Sequence, residues 1–94
     1  MPNFAVEYTY APDRAAVRDE HRPAHRQWLG DGHERGIVRM AGPFVDGSGA
    51  WIMVAADDER GVRDFLAGDP FAAVDGIAAV RIHEWLNVFG PFGS

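Results

Sequence analysis

Four apolar runs, at 4–10, 37–40, 50–56 and 77–88, alternate with stretches bounded by glycine and proline, and that order limits the chain to very few folds. In the first run Phe4, Val6, Tyr8 and Tyr10 alternate with Ala5, Glu7 and Thr9, the period-two signature of a strand with one buried face. Ala11-Pro12-Asp13 breaks that strand, and Asp13 is placed to cap a helix from Arg14. Pro23 lacks a backbone donor, so the expectation is a short helix over 14–19 and a second, longer one over 23–35, closed by Gly36. On the longer helix Ala24, Trp28 and Leu29 define the buried side, with His25 at its margin. The run at 37–40 begins the next strand. Asp46-Gly47-Ser48-Gly49 turns it into a hairpin with the run at 50–56. Asp57 and Asp58 place carboxylates at the start of a helix whose Val62, Phe65 and Leu66 repeat at helical spacing. Gly68 stops that helix and Pro70 prevents its resumption. The stretch at 71–76 reads as a connector, 77–88 as the last strand, and 90–94 as a frayed tail.

The resulting order, βαββαβ, is that of a ferredoxin-like α+β fold, with a four-stranded antiparallel sheet carrying both helices on one face. Ninety-four residues make a single domain, 1–94. A chain this short buries only about two thirds of the surface its unfolded form exposes. The other sheet face is therefore informative. On the last strand Arg81, His83, Trp85 and Asn87 alternate with Val80, Ile82, Leu86 and Val88, and Trp51 extends the mixed set. A half-apolar open face points to a homodimer. Glu7 would meet Arg81 or His83 if the first and last strands are neighbours.

Composition removes several classes of function. With no cysteine there is no disulfide, thiolate metal site or cysteine nucleophile. With no lysine there is no Schiff base. Fourteen acidic residues against nine arginines give a net charge of -5, which disfavours a nucleic-acid backbone as partner. The N-terminus has no basic flank and no apolar run approaches the roughly 20 residues that span a bilayer, so a soluble cytoplasmic protein without membrane contact is expected. No P-loop and no Gly-x-Gly-x-x-Gly follows a strand, and no nucleotide or other cofactor is expected. His21 and His25 are one helical turn apart, but Pro23 lies between them and no His-Glu-x-x-His is present, so no metal site is expected. His33 reads as a partner of the helix-terminal carbonyls.

The stretch with chemical content is Arg22-Pro23-Ala24-His25, where an imidazole sits beside an apolar stripe. Far downstream, Asp69-Pro70-Phe71 offers a carboxylate that can meet it in space. Arg22 is the candidate to hold a substrate carboxylate or phenolate, because guanidinium presents a rigid fork of donors. Pro43 and Phe44 are candidates for a pocket wall, Phe71 for a further substrate contact, and Tyr8 for a lining residue or a core tyrosine with a satisfied hydroxyl.

These segments, from the strand followed by Ala-Pro-Asp through Arg22-Pro23-Ala24-His25, Gly36, Ala41-Gly42-Pro43 and Asp69-Pro70-Phe71, resemble the YCII-related family. The resemblance implies a dimeric α+β-barrel arrangement of two sheets and a catalytic pair that falls on His25 and Asp69. It also implies a family in which most members have no assigned reaction, while at least one removes chloride from a chlorinated hydroxyquinol. The expected function is a small cofactor-independent dimeric enzyme, of lyase, isomerase or dehydrochlorinase type, acting by acid–base chemistry on a small polar or aromatic substrate. The alternative is a non-catalytic dimeric module for ligand binding or assembly, in which His25 packs at a helix start and Asp69 caps a turn. A third reading, an α+β-barrel monooxygenase acting on a quinol, requires oxygen.

Overall fold

The computed structural model describes residues 1–91. Strand β1 (Asn3–Tyr10) leads through a 3-10 turn at Pro12–Arg14 into helix α1 (Ala15–Glu34), followed by the hairpin β2 (Val38–Pro43) and β3 (Gly49–Ala55). Helix α2 (Glu59–Leu66), a single turn α3 (Pro70–Ala73) and strand β4 (Ile77–Trp85) complete the fold. The strands form one sheet in the order β2-β3-β1-β4, antiparallel throughout. This is the ferredoxin-like α+β architecture. Among the described residues no helix is long and apolar enough to cross a membrane.

The alternation in β1 divides the sheet into its two faces. Phe4, Val6, Tyr8 and Tyr10 pack with Ala50, Ile52 and Val54 of β3 against Val62 and Leu66 of α2 and Phe71 of α3. Each large apolar side chain fully buried here contributes roughly 1.5–3 kcal/mol. On the opposite face Glu7 lies across from Arg81, 3.6 Å away, while His83 lies opposite Ala5. Met40, Trp51 and Trp85 leave 50%, 38% and 37% of their surface exposed.

Helix α1 is unbroken across Pro23, contrary to the two helices expected from the sequence. Proline in a helix interior costs about 3 kcal/mol, here including the bond that an N–H at position 23 would make to the Asp19 carbonyl. Tertiary contacts on both sides of it offset that cost. Before the proline, the buried Arg18 donates to the carbonyls of Ala11 (2.6 Å) and Gly76 (2.8 Å) and lies over the Tyr10 ring at 4.5 Å. After it, His25 is buried and Trp28 stacks on Phe65 with centroids 4.6 Å apart. Both halves are thus anchored to neighbouring elements, the first to Tyr10 and the loops at Ala11 and Gly76, the second to Asp69 and Phe65. His25, expected at the margin, is buried, whereas Ala24, expected on the buried side, faces solvent.

The helix ends as expected. Gly36, at φ +78°, donates to His33, and Ile37 donates to Gly32, a paired closure that the left-handed glycine permits. Asp58 caps α2 by accepting from the Gly61 N–H at 2.8 Å. Three boundaries differ from the sequence reading. Strand β2 runs on to Pro43 with a register shift between Val38 and Met40, β4 stops at Trp85, and the connector begins with the helical turn α3. Of the expected tail, residues 92–94 lie outside the described residues.

Two substitutions test this account. Pro23→Ala restores a backbone donor without removing a buried group and should raise stability by about 1–3 kcal/mol, read as a higher urea midpoint at unchanged slope. A lower midpoint would show that the proline itself positions the helix. Gly49 pairs with Thr9 so closely that a Cβ there would collide with the Tyr8 carbonyl oxygen. Gly49→Ala should therefore cost about 2–4 kcal/mol by the same measurement.

Candidate active site

Asp69 ends the loop after α2 and begins α3, where its own carboxylate caps the turn: Oδ1 accepts from the Phe71 N–H at 2.9 Å. The same oxygen lies 2.7 Å from Nδ1 of His25, and Oδ2 accepts from the Tyr8 hydroxyl at 2.9 Å. Asp69 is 1% exposed and His25 is 6% exposed. Three elements, α1, β1 and α3, thus converge on one carboxylate. An ionised carboxylate only accepts, so Nδ1 of His25 donates to it and the neutral ring keeps its acceptor lone pair on Nε2. The ring is further fixed by Phe71, stacked on it at 3.9 Å and 4° between planes.

His25 forms part of the wall of a cavity of about 640 Å³ between α1 and the β2–β3 hairpin. Arg22, Arg26, Leu29 and His33 share that wall because they recur with His25 at helical spacing along one stripe of α1. Pro43 and Ala41 close it from β2, while Ile52 and Phe71 supply an apolar floor.

Of the residues singled out in the sequence, His25, Arg22, Pro43 and Phe71 line this cavity. Asp69 and Tyr8 stand behind the imidazole and do not line it. Tyr8 is accordingly a buried core tyrosine whose hydroxyl is satisfied by Asp69. Phe44 borders a separate, smaller hollow, with Arg22 and Pro43 reaching both. Arg26 and Arg39 went unnoticed in the sequence. The signal for Arg26 was present, one turn beyond Arg22 and next to His25, whereas Arg39 enters through the strand irregularity in β2.

The other histidines have different surroundings. Nδ1 of His21 lies 2.9 Å from the Val17 carbonyl within its own helix. Nδ1 of His33 reaches the Val38 carbonyl, also 2.9 Å away, so it ties α1 to β2 instead of closing the helix end as expected. Among the described residues no group of three or more His, Asp or Glu side chains is placed to hold a metal ion.

Burial first, and then the Asp69 charge and the hydrogen bond to it, push the Tyr8 hydroxyl far above the ordinary tyrosine range. Tyr10 is raised by burial and by Asp69, against the opposing pull of Arg18, Arg22 and Arg26. A tyrosine whose folded pKa exceeds its unfolded value of about 10 contributes stability that is complete below that pH and is lost as pH rises above it. Urea midpoints should therefore fall between pH 9 and pH 11, and fall less steeply in Tyr8→Phe. At pH 8 the same variant should lose about 1–3 kcal/mol, since it leaves Oδ2 of Asp69 buried without a donor. An unchanged pH 8 midpoint would show that the hydroxyl does not support Asp69.

The fold has a solved counterpart. The 5-chloro-2-hydroxyhydroquinone dehydrochlorinase TftG from Burkholderia phenoliruptrix AC1100, in complex with 2,5-dihydroxybenzoquinone, is similar with a TM-score of 0.79 and 22% identity, over 89% of this chain and 93% of that one. That likeness shows a shared fold. No protein of curated function matches the chain. The YCII-related domain matches residues 3–86, nearly the whole length, and the chain therefore belongs to the YCII-related family.

Proposed function

We propose that this protein is a small enzyme in which His25 moves a proton on a substrate bound in the α1–hairpin cavity, with Asp69 as its orienting carboxylate. The observation that carries the proposal is the 2.7 Å contact between Nδ1 of His25 and Oδ1 of Asp69, buried behind a ring that forms part of the cavity wall. Asp69 holds one tautomer and one ring orientation, and it stabilises the imidazolium that forms when Nε2 takes a proton. Arg22, Pro43 and Phe71 are the substrate contacts. The scheme draws on protein side chains alone. Proton removal of this kind suits elimination or isomerisation of a small polar or aromatic compound, and the similar dehydrochlorinase favours the eliminative class for this chain.

A homodimer through the open sheet face and a cytoplasmic setting complete the proposal. Trp51, Trp85 and Met40 give that face its apolar content, and the lack of cysteine suits a reducing compartment. The rival is a binding or assembly module. It is favoured by the fact that Asp69 also caps α3, so the pair has a structural task whether or not it has a chemical one.

Turnover in variants separates the two. The assays are chloride release from 5-chloro-2-hydroxyhydroquinone and deuterium exchange at the acidic C–H positions of small quinols and hydroxylated acids. In either, His25→Asn should lower the rate at least about 100-fold while the protein remains folded. Asp69→Asn should lower it by about tenfold or more. Equal rates in native protein and His25→Asn, or no turnover of any of these compounds by the native protein, would leave the binding-module reading.

A further inference from the structure

The protein carries a net charge of -5, yet the cavity wall is positive. Arg22, Arg26 and Arg39 line it and, among the described residues, no aspartate or glutamate does. Two carboxylates lie close to it: Asp69, beneath the wall with both oxygens occupied by Tyr8, His25 and the Phe71 N–H, and Asp19, paired with Arg22 outside the lining. A cavity that collects guanidinium groups in an acidic protein has a local potential opposite to that of the molecule, and its low-dielectric walls strengthen it.

The arginines are placed to act together. Arg22 and Arg26 are one turn apart on α1 and flank His25, so the backbone positions that carry two guanidinium groups and the imidazole span about 6 Å of axial rise. Arg22 holds Asp19 at 2.6 Å, but 70% of the Asp19 side chain is exposed. An exposed pair of that kind is worth about 0–1 kcal/mol, and a ligand's anionic group can replace it. Arg26 has no acidic partner among the described residues. Beneath these heads Leu29, Ile52 and Phe71 present hydrocarbon, so a ligand matching the cavity has a flat apolar body and an anionic group at the rim.

We infer that the cavity selects small single-ring organic anions, carboxylates or ionised phenols and enols, with Arg22 and Arg26 holding the negative group beside His25. This deepens, and rests on, the reading of the cavity as the substrate site. It assigns Arg26 a task of its own: its charge stabilises the negative charge that appears on the substrate when Nε2 of His25 takes a proton.

The probes are benzoate and its neutral isostere benzamide, titrated into the 13C-labelled protein and followed by NMR through the Leu29 and Ile52 methyl groups. Benzoate should bind saturably and at least about tenfold more tightly than benzamide. The double variant R22Q/R26Q should weaken benzoate at least about tenfold and leave benzamide unchanged, the scale expected for charge-assisted hydrogen bonds. Arg63→Gln, which removes an arginine paired with Glu59 on α2, should change neither. Benzamide binding as tightly as benzoate, no saturable benzoate binding, or benzoate binding unaltered in the double variant would each overturn the inference. His25→Asn should keep the preference for benzoate. If that variant also keeps full turnover, the acid–base reading fails while the anion site stands; if it loses turnover and the native protein shows no preference for benzoate, the reverse holds.

Discussion

A carboxylate that is 1% exposed must be surrounded by donors or it destabilises the fold around it. In this protein the donors of Asp69 come from Tyr8 on β1, His25 on α1 and the backbone of Phe71 on α3. Sheet, long helix and connecting turn therefore have to meet at one point with hydrogen-bond accuracy, and much of the surrounding architecture serves that meeting. The Phe71 ring covers the imidazole, the Arg18 side chain ties α1 to the loops at Ala11 and Gly76, and Phe65 stacks on Trp28 one turn beyond the pair. Displacing any of the three elements leaves a buried charge short of a partner, which costs more than the loss of an ordinary apolar contact.

The same constraint shapes the cavity. Because His25 faces inward to reach Asp69, the stripe that includes Arg22, Arg26 and Leu29 borders the cavity beneath the β2–β3 hairpin, with Arg26 still exposed to water. The long arginine side chains bring positive heads to the rim while their stems cover apolar surface. One helix face thus carries the imidazole, the charges around it and part of the apolar wall. A proton-transfer group fixed by a buried partner, next to a wall whose described lining includes arginines and no carboxylate, is a coherent arrangement for chemistry on an anion.

Much of the scaffold was legible locally. The alternation from Phe4 to Tyr10 identified the core face of β1, Gly36 marked the end of α1, and Asp58 marked the start of α2, because each depends on backbone geometry or side-chain period within a few residues. Pro23 was misleading for the same reason. Its local preference is to end a helix, and it was outweighed by Arg18, His25 and Trp28, whose partners lie on other elements. Tyr8 and Phe44 were plausible cavity residues by type, but their positions relative to His25 follow from how β1 and the hairpin pack. The turn at Pro70–Ala73 was too short to show a helical period.

By itself, then, the sequence determined the order of strands and helices, the buried face of the sheet, the exclusion of cysteine and lysine chemistry, and the two segments carrying an imidazole and a carboxylate. These depend on residue type and near-neighbour spacing. Tertiary structure alone decided that α1 continues through Pro23, that Tyr8 supports Asp69 from behind, that Nδ1 of His25 faces the carboxylate, and that three arginines share a wall with no acidic residue among the described lining. Those outcomes depend on through-space partners, where a burial or a hydrogen bond worth a kcal/mol or more overrides the weaker preferences of the local chain.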